Sequence, residues 1–393
     1  MKKCLIISAF GGDIKKEGNS RVVNVVNSLV AKGIEYTYVT TDFVHRTKSY
    51  RQKETTNDNR SVYIHVPSYK KNISIKRLFS HFVFAVKLRR YLLNLQNKPH
   101  SIYCTMPTST SAWVAGRYCK KHKLKYIIDV IDLWPDSLLP LTSLKKLLST
   151  LTLPWKCITI SAYKKADVII GESRKYVSAA AEYNPKVPVY PLYLGVDPAK
   201  TEMLIQTSKL KISKPDEELW IAYGGSLGVS YDFKTLVNSV ASLNGKCKYK
   251  LLFIGDGVSR PYVETLIKQY KVTAMITGYV SYADMLKYLS LCDIAINIFK
   301  KDTKVIHSYK FNDYVAANCF ILNSLEGETA ELIDKYKVGL NFNYTGNTLE
   351  KVLMECVSNW KEYRQWKDNN KRLVAEVLDK NLIYPQISKL LID

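Results

Sequence analysis

Short apolar, β-branched runs alternate along the chain with longer stretches in which apolar positions recur every three or four residues. That rhythm belongs to βαβ units, so the pattern predicts parallel sheet flanked by helices. Strands are predicted over residues 3–8, 36–40, 61–66, 101–104, 126–130 and 168–171, and after a break over 220–223, 249–254, 274–277, 294–298 and 320–323. The expectation is an α/β chain of two doubly wound, Rossmann-like domains facing across a cleft. The first takes 1–200, and a polar, Lys-rich linker containing Pro215 takes 201–216. The second takes 217–375, and a closing helix over 376–393 is expected to return to the first domain. No repeat of solenoid period appears.

Composition sharpens this picture. A chain of 393 residues with 47% hydrophobic and 24% charged side chains has the proportions of a globular protein of two domains. The formal charge of +23 is uneven, because residues 1–200 hold 33 basic against 13 acidic side chains and the rest hold 25 against 22. The first half should therefore face something anionic: nucleic acid, lipid headgroups or a phosphorylated substrate. The eight cysteines are scattered without a CxxC pair, which reads as reduced core residues in a cytosolic protein and gives no metal site. The apolar run from Cys4 to Phe10 is short and leads into Asp13, Lys15, Lys16 and Glu17, so it reads as a first strand rather than a signal peptide. No uninterrupted apolar stretch is long enough to span a bilayer.

Open α/β sheets take ligands beyond the carboxyl ends of their strands, so chemistry is sought in the loops there. After the first strand come Gly11-Gly12-Asp13 and Gly18-Asn19-Ser20-Arg21, whose small residues and helix start suit an anion or a close ligand. The spacing misses the GxGxxG dinucleotide fingerprint, and a plain turn capped by Asn19 or Ser20 has the same look. After the fifth strand, Asp129, Asp132 and Asp136 surround Trp134. Asp132 is the candidate for an acceptor hydroxyl and Trp134 for a stacking wall, while Asp136 or Ser137 equally suits a helix cap. Glu172 ends the sixth strand. In the second half, Tyr223-Gly224-Gly225-Ser226-Leu227-Gly228 is a Gly-rich loop whose amides suit a diphosphate. Ile254-Gly255-Asp256-Gly257 and Thr277-Gly278-Tyr279-Val280 end the next two strands. Lys310 and Asp313 stand three apart after Tyr309, a cation for phosphate and a carboxylate for a ribose diol, or else a solvated ion pair.

The order of these motifs is more specific than any one of them. The Gly-rich loop, Ile-Gly-Asp-Gly, Thr-Gly-Tyr-Val, Cys-Asp-Ile-Ala and Lys-Phe-x-Asp-Tyr-x-Ala-Ala resemble the second domain of GT-B glycosyltransferases of the GT4 type. Asp-Val-Ile-Asp-Leu-Trp-Pro-Asp-Ser resembles the subgroup that builds bacterial capsule, O-antigen and exopolysaccharide units. The resemblance covers the whole chain, strongest at residues 253–257 and 310–317. It implies a nucleotide sugar, UDP-linked by preference, with its base near Tyr279 and Val280 and its ribose at Asp313. The diphosphate would meet the amides around Gly225, Ser226 and Gly228, with Lys310 and Tyr309 alongside and Gly255 in the adjoining loop. It also implies metal-independent transfer with retention at the anomeric carbon, with no cofactor beyond the nucleotide sugar. Acceptor contacts would come from Gly12, Gly18, Asn19, Ser20, Trp134 and Glu172, with Asp132 and Lys310 nearest the chemistry. The chain departs from the family at two points. Val305 occupies the position of a usual carboxylate, with Asp313 in place of the commoner Glu, and Val229 stands where a basic residue is usual, leaving Lys234 as the nearest cation.

Residues 70–96 place Ile75, Leu78, Phe79, Phe82, Val86 and Leu92 at near-helical spacing among Lys70, Lys71, Lys76, Arg77, Lys87, Arg89 and Arg90. Residues 138–163 repeat the combination with Leu139, Leu147, Leu148, Leu151, Leu153, Trp155 and three lysines. Both suit an anionic membrane surface as well as an ordinary core-facing helix. The resemblance implies a lipid-diphosphate-linked acceptor at the cytoplasmic face, hence a cytoplasmic protein held peripherally at the inner face of the plasma membrane. A sugar-nucleotide epimerase of similar build is the alternative enzyme. It would need acid/base His in the strand-end loops, where the sequence puts His307 and few of the other five. A nucleic-acid-binding protein would explain the charge but lacks any helix-turn-helix, RRM or zinc pattern.

Overall fold

A computed structural model describes residues 2–11, 14, 20–45, 47–51, 59–71, 74–137, 150, 152–301, 303, 305 and 307–393. The chain forms two units, Met1–Leu194 with Asn381–Asp393, and Gly195–Lys380. The strands of the first unit are β1 (Lys3–Ile7), β2 (Glu35–Thr41), the hairpin β3 (Phe43–Val44) and β4 (Ser49–Tyr50), β5 (Ser61–Ile64), β6 (Ser101–Met106), β7 (Lys125–Val130), β8 (Val168–Gly171) and β9 (Val189–Pro191). Apart from the hairpin they make one parallel seven-stranded sheet, ordered β5-β2-β1-β6-β7-β8-β9. Its middle strands are buried from end to end, as strands covered by helices on both faces must be, which is why they read as unbroken apolar runs.

The second unit repeats the plan. β10 (Leu219–Gly224), β11 (Tyr249–Ile254), β12 (Ala274–Ile276), β13 (Ile294–Asn297), β14 (Phe320–Asn323) and β15 (Gly339–Asn341) form a parallel sheet ordered β12-β11-β10-β13-β14-β15. In both sheets the winding direction reverses beside the unit's first strand, between β1 and β6 and between β10 and β13. Such a switch point opens a crevice at the carboxyl ends of the strands, where the crossover helices diverge to opposite faces.

Two short edge strands, β9 and β15, and the hairpin have no counterpart in the sequence pattern. β9 is exposed along its length and ends in Pro191, so no burial signal marks it. The stretch read as a linker begins as helix, Pro198–Thr207, because Asp197 accepts from the Lys200 amide at 3.0 Å and Pro198 pre-sets the first turn. That helix packs on Tyr282–Leu291, and Ser208 Oγ donates to Asp284 at 2.7 Å. The chain's last helix, Lys380–Ile392, puts Ile383, Tyr384, Ile387 and Leu391 into the same core as Ile6, Val25 and Leu29 of the first unit.

A buried ion pair ties this core together. Arg21, the first residue of the helix Arg21–Ala31, grips Asp129 of β7 with two bonds, Nε at 2.7 Å and Nη2 at 3.0 Å. Its Nη1 donates to the carbonyls of Leu192 and Tyr193, and the Tyr103 hydroxyl donates to Asp129. Tyr384 of the last helix donates to the Leu194 carbonyl at 2.8 Å and accepts from Asn24 at 3.1 Å. Burial opposes the Arg21 charge, but Asp129 overcomes it and raises the guanidinium pKa above its usual value. Removing one partner strands a charge in the interior, which costs about 3–5 kcal/mol. We expect Asp129→Ala to lower the unfolding free energy of the intact chain by that amount in urea titrations; a loss under about 1 kcal/mol would contradict this role.

Candidate functional site

The switch point of the second unit is built by close backbone packing. Gly225 follows β10 with φ +105°, and Gly255 follows β11 with φ +145°. A Cβ on Gly255 would collide with the Gly225 carbonyl, so the two loops lie main chain on main chain. The Gly225 amide donates to Ile254 O at 2.8 Å and the Leu227 amide to Asp256 O at 2.9 Å. The amides of Ser226 and Gly228 enter no hydrogen bond among the described residues, so it is these alternate amides that the loop can offer an anion. Gly255 therefore supports the loop, and its own amide donates to Thr277 Oγ1 at 3.2 Å.

Lys310 lies over this loop from the first turn of the helix Tyr309–Ala316. Its ammonium sits 3.7 Å from the centroid of the Tyr223 ring and 3.8 Å from that of Tyr231, and it donates to the Tyr223 hydroxyl. A Cβ on Gly225 would come within 3.4 Å of Nζ, so glycine there leaves the space that the lysine fills. No ion pair to Lys310 exists among the described residues. Burial drives its pKa well below that of a free lysine, with Asp313 opposing, so the site disfavours the ammonium form, which an anionic ligand would stabilise. Lys310 and Asp313 share a helix, but the carboxylate accepts from Tyr282 Oη at 2.9 Å rather than pairing with the lysine. Burial raises Asp313 to about 6, against the pull of Tyr282, Lys380 and Lys310. Lys380 is itself lowered to about 8 by burial, with Asp197 opposing.

The other residues expected to contact the donor have these surroundings. Ser226 is exposed, and its carbonyl accepts from Tyr223 Oη at 2.8 Å. Gly228 packs beside Tyr231. Tyr279 is 75% exposed beyond β12 with Val280 partly buried next to it, and Tyr309 is exposed. Lys234 is exposed on the helix Phe233–Ala241. Tyr231, Tyr282 and Lys380 form no part of the sequence expectation, and Tyr223 enters it only as the first residue of the Gly-rich loop. The Tyr immediately before Gly224-Gly225 was the one available signal.

In the first unit, the carboxyl ends of β1, β2 and β7 bring together an aromatic and cationic cluster. Arg77, buried in the first turn of the helix Ile75–Leu93, lies 4.1 Å from the Trp134 ring centroid and 4.8 Å from that of Phe10. His81 stacks on Trp134 at 6.0 Å and meets Phe10 edge-on at 5.0 Å. His45 Nδ1 lies 2.7 Å from Tyr69 Oη and 3.1 Å from Lys48 Nζ. His45 thus stands in the turn between β3 and β4, and both it and His81 meet the Phe10 ring. His81 comes from a helix, and linear order gives no sign of that approach. Asp132 turns back on its own loop, accepting from the Leu133 amide at 2.8 Å and from Trp134 Nε1 at 2.7 Å, so its carboxylate fixes the indole. Glu172 is buried, and Ser20 occupies the N-cap of Arg21–Ala31 without a side-chain capping bond. Gly12, Gly18 and Asn19 lie outside the described residues. No group of His, Cys, Asp and Glu able to hold a metal occurs among the described residues.

The two switch-point sheets are those of the GT-B glycosyltransferase fold. Sucrose-phosphate synthase from Thermosynechococcus elongatus superposes with a TM-score of 0.71 at 14% identity, over 99% of this chain and 98% of its own. Anabaena HepE, solved with UDP-glucose, gives 0.66 at 11% identity over 100% and 99% of the two chains. WaaG, a glycosyltransferase involved in lipopolysaccharide biosynthesis, gives 0.65 at 13% over 99% of each. At these identities the likeness is one of fold. No protein-family model and no curated protein matches the chain.

The raised pKa of Asp313 has a signed consequence. A buried carboxylate whose folded pKa is raised to about 6 carries its full penalty above that pH, and the penalty fades as pH falls toward the ordinary value of 3.8. Asn keeps an acceptor for Tyr282 without the charge. We expect Asp313→Asn to gain stability over the parent as pH rises from 4.5 to 7, by up to about 3 kcal/mol. Urea midpoints of both proteins across that range test it, and a constant difference would refute the assignment.

Proposed function

We propose that the chain is a nucleotide-sugar-dependent glycosyltransferase of the GT4 type. It moves a sugar, from a UDP-sugar by preference, to a saccharide acceptor carried on a lipid diphosphate in surface-polysaccharide assembly. The observation that carries this reading is the Lys310 ammonium, held on two tyrosine faces above Gly225 at a switch point, desolvated and without an ion pair among the described residues. A diphosphate leaving group needs fixed positive charge and oriented amides where its own charge grows. Lys310 and the amides of Ser226 and Gly228 supply both. Asp313, held by Tyr282, meets the ribose, and the exposed Tyr279 covers the base. HepE, which shares the fold, was solved with UDP and with UDP-glucose, which supports the same ligand class here.

The family resemblance implies the course of the reaction, and that arrangement supports it. The acceptor hydroxyl oxygen bonds to the anomeric carbon as the bond from that carbon to the β-phosphate oxygen breaks. The hydroxyl proton passes to the departing phosphate, leaving glycoside and UDP. Front-side attack of this kind retains configuration and asks of the protein only charge stabilisation and positioning. Trp134, fixed by Asp132, and Glu172 are the acceptor-side groups.

Membrane attachment forms part of the proposal. The helix Ile75–Leu93 buries Arg77, His81, Phe84, Leu88 and Leu92 but turns Ile75, Leu78, Phe79, Phe82, Val86 and Leu93 outward. Ile75 is 85% exposed, and Lys76, Lys87, Arg89 and Arg90 flank the stripe. An apolar face ringed by cations suits the interface of an anionic bilayer and would hold the chain peripherally at the cytoplasmic leaflet. Half of the second expected surface lies outside the described residues; of the rest, Leu153 is exposed at the start of the helix Leu153–Tyr163. No helix among the described residues is long and apolar enough to cross a membrane.

Two measurements test this function. Calorimetric titration of the purified chain with UDP should give saturable binding, and Lys310→Ala should weaken it about 10- to 100-fold, the loss of one or two charge-assisted bonds; unaltered affinity would remove the donor site from this loop. Vesicles of phosphatidylglycerol and phosphatidylethanolamine should retain the chain, and Phe79→Ser with Phe82→Ser should cut partition at least about tenfold while leaving the melting temperature unmoved, since both rings are more than half exposed. Equal partition of the double variant would leave the stripe without a membrane role.

A further inference from the structure

Apart from Trp134, the cluster at the carboxyl ends of β1, β2 and β7 has no task in the chemistry above. Four basic side chains gather here: Arg77 and His81 meet the rings of Phe10 and Trp134, His45 meets Phe10 and Tyr69, and Lys48 lies over Tyr69 and 3.1 Å from His45. Asp132 attracts Arg77 while accepting from its own loop at Leu133 and Trp134, and the remaining like charges at this partly buried point repel one another unless a further anion joins them. The two histidines answer that field by staying neutral: burial, with Arg77 and its neighbours adding to it, lowers both to about 3. His81 Nε2 is buried and has no hydrogen-bond partner among the described residues, a cost that sites carry where a ligand supplies the missing bond. Arg77 and Lys76 occupy the first turn of the helix Ile75–Leu93, which carries no acid there, so the amino-terminal end of the helix dipole adds to the positive field.

We propose that Arg77, Lys48 and His81 form a subsite for a phosphate group of the acceptor. A phosphate offers several acceptor oxygens on one compact dianion, which matches a guanidinium fork, an ammonium and one imidazole N–H arriving from different elements. The same two helical turns that aim Arg77 and His81 inward carry Ile75, Leu78, Phe79 and Phe82 outward. A ligand with a phosphate joined to an apolar chain satisfies both faces, so the phosphate of a lipid-linked saccharide fits better than that of a free sugar phosphate. Naming the ligand an acceptor rests on the transferase reading; the anion subsite does not.

The test uses the full chain and three probes: geranyl diphosphate for the lipid source, glucose 1-phosphate for the free source, and UDP as a control for the second unit. Two variants keep the fold. Lys48 has φ +55°, a left-handed conformation that Asn tolerates, so Lys48→Asn removes the charge without straining the loop. His81→Phe keeps the ring against Trp134 and Phe10 and deletes the unpartnered nitrogen. Geranyl diphosphate should bind the parent and lose at least tenfold in affinity in each variant, with UDP binding changed less than twofold. If glucose 1-phosphate shows that pattern and geranyl diphosphate does not bind, the phosphate subsite stands and its ligand is the free ester. If geranyl diphosphate binds and is lost in the variants while UDP binds nothing, the subsite stands and the donor-site reading fails. Equal binding by parent and variants, no binding of either phosphate ester by a parent that binds UDP, or an equal loss of UDP affinity would each overturn the subsite.

Discussion

The constraint on which both sites depend is that a cation removed from water needs a counterpart. In this chain aromatic faces supply much of it. Lys310 rests on Tyr223 and Tyr231, and Arg77 rests on Phe10, Tyr69 and Trp134. A ring quadrupole attracts a cation without neutralising it, at about 0.5–2 kcal/mol per contact. A carboxylate would satisfy the charge fully and leave nothing for an incoming phosphate. Contrast Arg21, whose bidentate pair with Asp129 is complete, buried and joined to main-chain carbonyls. That cation holds architecture together; Lys310 has no such pair among the described residues.

Topology explains where the available cations stand. A parallel doubly wound sheet must send its crossovers to opposite faces on either side of its first strand, and the crevice this leaves is the one place where strand ends, loop amides and helix amino termini converge. In the second unit β10 and β13 flank that place, and the helix carrying Lys310 begins over it. Close packing of Gly225 on Gly255 then brings two loops within one main-chain layer of the lysine. Any side chain at either glycine would separate the loops or displace the ammonium. The Gly-rich sequence is thus a packing requirement before it is a binding motif, and the pattern of free and engaged amides follows from it.

Much of the fold was legible because fully buried parallel strands need continuous apolar runs, and β1, β6, β7, β8, β11 and β14 have them. β9 and β15 were not, because an edge strand ending in Pro191 or beginning at Gly339 lacks both length and two-sided burial. Residues on a strand end or helix start, such as Lys310, Asp313 and Trp134, announced themselves by spacing. The groups that complete them did not. Tyr282 reaches Asp313 from another helix, Tyr231 reaches Lys310 from beyond the Gly-rich loop, and His81 joins His45 only once two separate elements have packed. Such partnerships are made by tertiary structure, and linear order carries no trace of them. Arg77 is the sharpest case. By sequence it is one of several basic residues on an amphipathic helix, yet it lies on the buried side among aromatic rings while its neighbour Lys76 faces solvent.

That one helix divides its residues in an unusual way. A helix packed on a sheet ordinarily buries its apolar side and exposes its charges. Ile75–Leu93 exposes a stripe of Ile, Leu, Phe and Val, and it buries Arg77 and His81 alongside Phe84, Leu88 and Leu92. Turning Phe79 and Phe82 to water forfeits burial that each ring would otherwise gain, and enclosing Arg77 forfeits its hydration. Neither arrangement is favoured by folding alone, and they fall in consecutive turns of the same element. The acceptor proposed above, apolar at one end and anionic at the other, would account for both: the outer face would meet the chain and the inner face the charge, with the helix as the boundary between them.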